Sequence, residues 1–85
     1  MNIPPYFIVF LVRERGKYWT KLVVPENRTI EALKSAIISL LRPNCGNCDL
    51  FDIHDKYDRD KTISSTDEVR ELPDYFEMEV DVIEV

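Results

Sequence analysis

One amphipathic segment, residues 29–42, constrains the fold of this chain more than any other feature. It reads TIEALKSAIISLLR, with Thr29 as a candidate N-cap, Arg42 in the last turn and Pro43 as the stop. At about 100° per residue its apolar side chains fall on one face. That face consists of Ile30, Leu33, Ile37, Leu40 and Leu41. Because strand-like runs precede and follow it, the segment predicts one main helix covering one face of one sheet.

Two strand-like runs come before the helix. Residues 6–12 are apolar without a break, which is typical of a central strand, and residues 18–24 predict the returning strand of a hairpin. Gly16 lies in the connection, where a short hairpin loop needs a residue that adopts positive φ. Alternation predicts a helix-facing set in these two strands. The set is Ile8, Phe10, Val12, Tyr18, Thr20, Leu22 and Val24.

Strand patterns also follow the helix. Residues 50–54 predict a third strand whose inward face the pattern leaves open, and residues 62–64 predict a short fourth. Residues 65–72 predict a turn of helix, and residues 76–82 alternate strictly between apolar and acidic, with the apolar side toward the helix. We therefore predict one core, listed here: Ile8, Phe10, Val12, Leu22, Val24, Ile30, Leu33, Ile37, Met78 and Val80.

Two short stretches resemble ubiquitin-like domains. VPENRTIEALK at residues 24–34 is similar to their strand-to-helix segment, and KTIS at residues 61–64 resembles a short segment at a comparable distance downstream. The resemblance implies an α+β fold of the β-grasp (ubiquitin-like) type, a ββαββ(β) roll with one main helix on a mixed sheet. It also implies a protein-binding module. Phe51 falls at the central isoleucine of the apolar patch of ubiquitin, whereas Glu77 replaces an apolar valine.

Length and composition restrict the possible classes. Eighty-five residues make a single domain, 1–85, which we expect to belong to a larger protein. No apolar run approaches the roughly 20 residues of a membrane span, and residues 1–5 do not read as a signal peptide, so we expect no membrane partner. Two cysteines are too few for a disulfide scaffold, which favours a cytoplasmic or nuclear location.

The charge is divided unevenly along the chain. Residues 1–43 hold seven Lys/Arg and three Asp/Glu, a net charge of +4, and residues 44–85 hold four and thirteen, a net charge of −9. The acidic half makes nucleic acid an unsuitable partner. A basic surface of another protein, or the basic half of a second copy, is the better electrostatic match.

Few residues could carry chemistry. Cys45 and Cys48 form a CxxC pair, which we interpret as two free turn cysteines, with a metal shared with another chain or redox chemistry as alternatives. His54 lies among aspartates, and we interpret it as a solvated loop histidine, with a partner contact or pH sensitivity as the alternative. A calcium loop starting at Asp58 fails, because Ile63 and Val69 stand where glycine and glutamate are needed. We therefore expect no enzyme, no cofactor and no metal site.

Two functions remain open at this point. The first is a ubiquitin-like adaptor domain that binds another protein through its sheet. The second is a β-grasp scaffold domain that pairs head to tail, as Phox-and-Bem-type, DIX-type or CIDE-N domains do, through acidic loop 55–67 and basic hairpin 13–21. We also predict a protein-binding or homodimer surface on the sheet face opposite the helix, centred on Leu11 and Trp19, unless a neighbouring domain covers that face. The candidate protein-binding residues are Val9, Leu11, Trp19, Lys21, Val23, Phe51, Asp55, Asp58, Asp60, Asp67, Glu77 and Glu79.

Overall fold

A computed structural model of the chain describes residues 6–84, and of Phe51 only the backbone. Within this part the main helix packs against one mixed sheet, which confirms the predicted α+β class at that level. The elements in chain order are β1 (Phe7–Glu14), β2 (Thr20–Pro25), α1 (Ile30–Leu41), β3 (Cys48–Asp55), α2 (Thr66–Glu71) and β4 (Phe76–Glu84).

The four strands are ordered β2-β1-β4-β3 across the sheet. β1 and β4 run parallel in the middle, and β2 and β3 pair antiparallel on the outside. Phe10 of β1 stands opposite Leu22 on one side and Phe76 on the other. The first and last strands of the sequence therefore form the centre of the sheet.

The β1–β2 hairpin turns where the sequence predicts it. Gly16 has φ of +78°, and the Lys17 N–H donates to the Glu14 carbonyl at 2.9 Å. Two assignments in this hairpin were wrong: Tyr18 is 94% exposed and Thr20 is also exposed. The reason is that β2 begins only at Thr20. Tyr18 therefore lies before the strand and has no sheet face to bury against, and Thr20 is the first residue of the strand.

Helix α1 begins as the sequence indicates. The Thr29 side-chain oxygen accepts the Ala32 N–H at 3.1 Å, which satisfies one free donor of the first turn. Arg42 caps the other end with its own N–H, and its guanidinium pairs with Glu14 on β1. The buried face of the helix is Ile30, Leu33 and Ile37, while Leu40 and Leu41 are only partly buried.

The core contains nearly all of the predicted residues and several more. Of the ten predicted, nine are buried and Ile8 is partly buried against them. Four further residues complete the core: Leu50, Ile53, Ile63 and Val69.

A bulge in β3 explains why its inward face could not be assigned. Leu50 pairs with Val82 and Asp52 with Asp81, so two steps along β3 match one step along β4. The extra residue puts Leu50 and Ile53, three apart, in the same core. Beside this strand residues 62–64 form no regular strand, contrary to the prediction; Thr62 makes a single bridge with His54.

Helix α2 is held to the rest of the molecule by a buried arginine. Arg28 is buried in the loop before α1, where one terminal nitrogen donates to the Val69 carbonyl and the guanidinium lies 4.9 Å from the Phe10 ring. Burial lowers the pKa of Arg28, and the Glu26 charge opposes that effect. Thr66 accepts the Ile30 N–H at 3.1 Å, so both helices share the contact.

Candidate protein-binding surface

The sheet face opposite α1 has an apolar end. Val9 stands opposite Val23 in the β1–β2 register, and Phe7 lies two residues before Val9 in β1. The Tyr75 N–H donates to the Val9 carbonyl at 2.5 Å, so the backbones of these two residues are adjacent just before β4 begins. Phe7 is 61%, Val23 58% and Tyr75 54% exposed. We call Phe7, Val9, Val23 and Tyr75 the apolar patch.

Tyr75 has an unusual backbone for its residue type. Its φ is +60°, a region that favours glycine and costs a non-glycine residue of order 1–3 kcal/mol. The ring is nevertheless more than half exposed, so packing in the core does not account for its presence there. Strained backbone conformations of this kind are concentrated at functional sites.

The other end of the same face is a network of charges. Arg13 and Glu79 are opposite each other in the β1–β4 register and form an ion pair at 2.6 Å. His54 follows on β3, with its ring nitrogens 3.3 Å from Glu79 and 3.2 Å from Asp52. Each ring nitrogen of His54 therefore lies within hydrogen-bonding distance of one carboxylate oxygen.

Further ion pairs border this network. Arg15 pairs with Asp81 at 3.0 Å, and Lys56 pairs with Glu77 at 2.9 Å. The hydrogen bond to Glu77 is the main reason that the pKa of Lys56 is raised. The charged groups at this end of the face therefore largely satisfy one another.

Trp19 lies over these charges, with two cations against its ring. The Arg13 guanidinium is 4.3 Å from the centre of its ring, and the Lys56 ammonium is 5.4 Å away. Cation–π contacts of this kind hold the ring against the sheet. Trp19 and Leu11, the predicted centre of the contact, are both partly buried, whereas Phe7, Val23 and Tyr75 are each more than half exposed.

Two charged residues are placed differently from their predicted roles. Glu79 was expected at the exposed binding face but is buried beneath Arg13 and beside His54. His54 was expected in solvent and is 0% exposed. The prediction for His54 was wrong because the pairing of β3 with β4 sets His54 directly opposite Glu79.

The remaining candidate residues fall in separate places. Lys21 is exposed on β2 and Glu77 is partly buried in its ion pair. The predicted role of Phe51 stays a prediction, because its side chain lies outside the described part of the chain.

The acidic loop has internal structure. The Asp55 carboxylate accepts the Tyr57 N–H at 2.8 Å, and the Asp58 carboxylate accepts the Asp60 N–H at 3.0 Å. These are turn-forming contacts that aspartate commonly makes. Asp58, Asp60 and, in the first turn of α2, Asp67 are exposed.

The two cysteines are joined to each other. Cys45 and Cys48 form a disulfide, so the prediction of free cysteines was wrong. The four-residue turn brings the two sulfurs together, and a disulfide is the form expected in an oxidising compartment. The argument from cysteines for a cytoplasmic or nuclear location therefore no longer holds. Among residues 6–84, no three His, Cys, Asp or Glu side chains are grouped so as to hold a metal ion.

The chain was compared with protein-family models, curated proteins and solved structures, and none of them matches it. In the part that the structure describes, no helix combines the length and apolar character that crossing a membrane requires.

The Glu79 carboxylate makes stability depend on acid pH. Burial opposes its ionisation, but the hydrogen bonds and charges of Arg13 and His54 outweigh burial and lower the pKa of Glu79 below 4.5. In the unfolded chain the pKa returns to its ordinary value, so the contribution of Glu79 is complete above about pH 4.5 and is lost as pH falls through the folded-state pKa.

We expect Glu79→Gln to flatten the acid side of the stability profile. The free energy of unfolding, measured by urea denaturation between pH 3 and pH 7, should fall less steeply below pH 4.5 in this variant than in the wild type. Glu71→Gln is the control, because Glu71 is exposed and forms no ion pair within residues 6–84. Equal slopes for the wild type and Glu79→Gln would show that Glu79 is not held ionised by its neighbours.

Proposed function

We propose that this chain is a non-catalytic protein–protein interaction module with the β-grasp fold of ubiquitin-like domains. The order β2-β1-β4-β3, with a parallel central pair and α1 on one face, supports the fold proposal. The function rests on one observation: the apolar patch is exposed at one end of a face whose other end is occupied by ion pairs.

The patch fits the apolar contact surface of another protein. Exposed aromatic and branched side chains grouped together usually mark an interface, and aromatic residues supply most of the binding energy. The neighbouring charges are already paired, so a partner gains mainly by covering Phe7, Val23 and Tyr75.

The contacts favour this adaptor function over head-to-tail pairing. Pairing through the basic hairpin would use Arg13 and Arg15, and both are committed to ion pairs within the sheet. Only Lys17 and Lys21 of that hairpin remain exposed without an ion pair in the described chain. The basic surface available for head-to-tail pairing is therefore smaller than the number of basic residues in the hairpin indicates.

The test is the double variant Phe7→Ser with Tyr75→Gly. Glycine adopts the positive φ of Tyr75 more easily, so the second substitution removes the ring without straining the backbone. Partners are captured on immobilised wild-type chain, identified by mass spectrometry, purified, and measured by titration calorimetry. We expect the double variant to bind at least about tenfold more weakly, since two anchors of about 1 kcal/mol each are lost.

The matched control is Tyr18→Ser with Tyr57→Ser. It removes two aromatic rings that are more exposed than those of the patch but lie outside it, so affinity should be unchanged. Light scattering of each variant reports any self-association. The proposal fails if the patch variant folds and binds every purified partner as the wild type does, or if the control loses as much affinity.

A further inference from the structure

Strand β2 forms an open edge of the sheet. Within residues 6–84 it pairs with β1 on one side, and it is the outermost strand on the other. An edge of this kind presents unpaired backbone donors and acceptors that can hydrogen-bond to another extended chain.

The register identifies which residues carry those free groups. The Glu26 N–H donates to the Tyr6 carbonyl at 2.9 Å, so this opposite pair is a hydrogen-bonded one. Hydrogen-bonded pairs alternate with non-bonded pairs along antiparallel strands. The backbone groups of Leu22 and Val24 therefore hydrogen-bond to β1, and the N–H and C=O groups of Lys21 and Val23 point outward from the sheet edge.

Pro25 sets the limit of this edge. It occupies the next outward-facing position, where its missing N–H costs the β1–β2 ladder nothing. The same missing donor prevents pairing from continuing past Val23 toward the helix. The edge therefore suits a short added strand rather than a long one.

The charge beside the edge selects the kind of strand. Lys17 and Lys21 are exposed and have no ion-pair partner in the described chain. A second copy pairing through its own β2 would bring identical lysines to the same edge, and like charges in close positions are unfavourable. Carboxylates at alternate positions of an added strand would lie next to these ammonium groups.

We propose that the edge of β2 accepts a short acidic strand from a partner protein, hydrogen-bonded to the backbone of Lys21 and Val23. The proposal deepens the proposed function and rests on it, because the chain must be a protein-binding module. It uses the backbone of the edge rather than the side chains of the apolar patch, so the two can fail separately.

Hydrogen exchange followed by NMR tests the edge in the free protein and in the presence of a peptide. The amide protons of Lys21 and Val23 should exchange at least about tenfold faster than those of Leu22 and Val24, which bond to β1. A labelled peptide of alternating glutamate and valine should slow exchange at Lys21 and Val23 alone. A peptide with lysine in place of each glutamate should leave both rates unchanged.

Two substitutions at one position separate the backbone from the side chain. Val23→Pro removes the outward N–H, so the affinity for the glutamate peptide, measured by fluorescence anisotropy, should fall at least fivefold. Val23→Thr keeps the N–H, so the same affinity should change less than twofold. Lys21→Glu should abolish the preference for the acidic peptide. Circular dichroism and thermal melting confirm that each variant is folded.

The outcomes distinguish the edge from the patch. The Phe7→Ser, Tyr75→Gly variant should bind the glutamate peptide as the wild type does, even though it loses partner proteins. No binding of the glutamate peptide at millimolar concentration, equal binding of both peptides, or unchanged binding by folded Val23→Pro overturns the edge proposal and leaves the patch unaffected. A wild-type dimer that Val23→Pro dissociates would also overturn it, because a second copy would then occupy the edge.

Discussion

Replacing Leu33 with alanine is expected to lower the free energy of unfolding by about 2–5 kcal/mol. Leu33 is fully buried at the centre of the face that α1 presents to the sheet. Truncation removes its apolar contacts and leaves a cavity that the neighbouring strands can fill only in part. The total free energy of unfolding of a domain of this size is about 5–15 kcal/mol, so the midpoint of urea denaturation should fall by a large amount.

The control for Leu33 lies on the same helix. Leu40→Ala makes the same chemical change at a partly buried position, so it should cost clearly less than Leu33→Ala. Equal losses for the two variants, or an unchanged midpoint for Leu33→Ala, would mean that the buried face of α1 is assigned wrongly.

Replacing Arg13 with alanine is expected to cost about 3 kcal/mol. Arg13 is the cation that faces Glu79 across the central strands, and the Glu79 side chain is only 9% exposed. Without Arg13 the buried carboxylate loses its closest partner, and Trp19 loses the guanidinium beneath its ring. Near-ultraviolet circular dichroism should therefore change together with the denaturation midpoint, because the environment of Trp19 changes.

Arg15→Ala is the matched control for Arg13→Ala. Arg15 is two residues further along the chain and also pairs with a carboxylate of β4, but both side chains of that pair are substantially exposed. Solvent screens such pairs, so the expected cost is about 0.2–1 kcal/mol. If Arg13→Ala were no more destabilising than Arg15→Ala, the buried position of Glu79 would contribute nothing to stability.

Several of the sequence patterns that depend on local geometry predicted the structure correctly. Residues 29–42 carry a complete helix signal, and the structure confirms the Thr29 cap and the burial of Ile30, Leu33 and Ile37. Gly16 adopts the positive φ expected of it, and the alternation in residues 76–82 places Met78 and Val80 in the core. In each case the residues that determine the feature are close in sequence, so one periodicity or one turn is sufficient to predict it.

The features that were missed depend on register between strands. The bulge between Leu50 and Asp52 breaks the alternation of β3, and no single-sequence pattern marks where an extra residue enters a ladder. The burial of His54 follows from its pairing with Glu79, which lies 25 residues away. Four aspartates near His54 suggested solvent, although one of them, Asp52, holds its ring in place.

The same reason applies to the binding surface. The apolar character of Val9 and Val23 could be predicted from alternation, and the structure places them opposite each other. The retention of Trp19 by Arg13 and Lys56 could not be predicted, because Lys56 reaches it from a segment that follows another strand. Tyr75 gave no signal at all, since nothing in a sequence shows that a tyrosine adopts positive φ.

The parallel pairing of β1 with β4 also determines how the molecule responds to tension. Both strands point the same way, and their register runs from Phe10 opposite Phe76 to Glu14 opposite Val80. A force that pulls the start of β1 away from the end of β4 makes the two strands slide along each other. All hydrogen bonds of that register are then loaded together, whereas the ends of the β1–β2 hairpin would separate one bond at a time. The β1–β4 pair therefore resists this direction of pulling more strongly than the β1–β2 hairpin resists separation of its two ends.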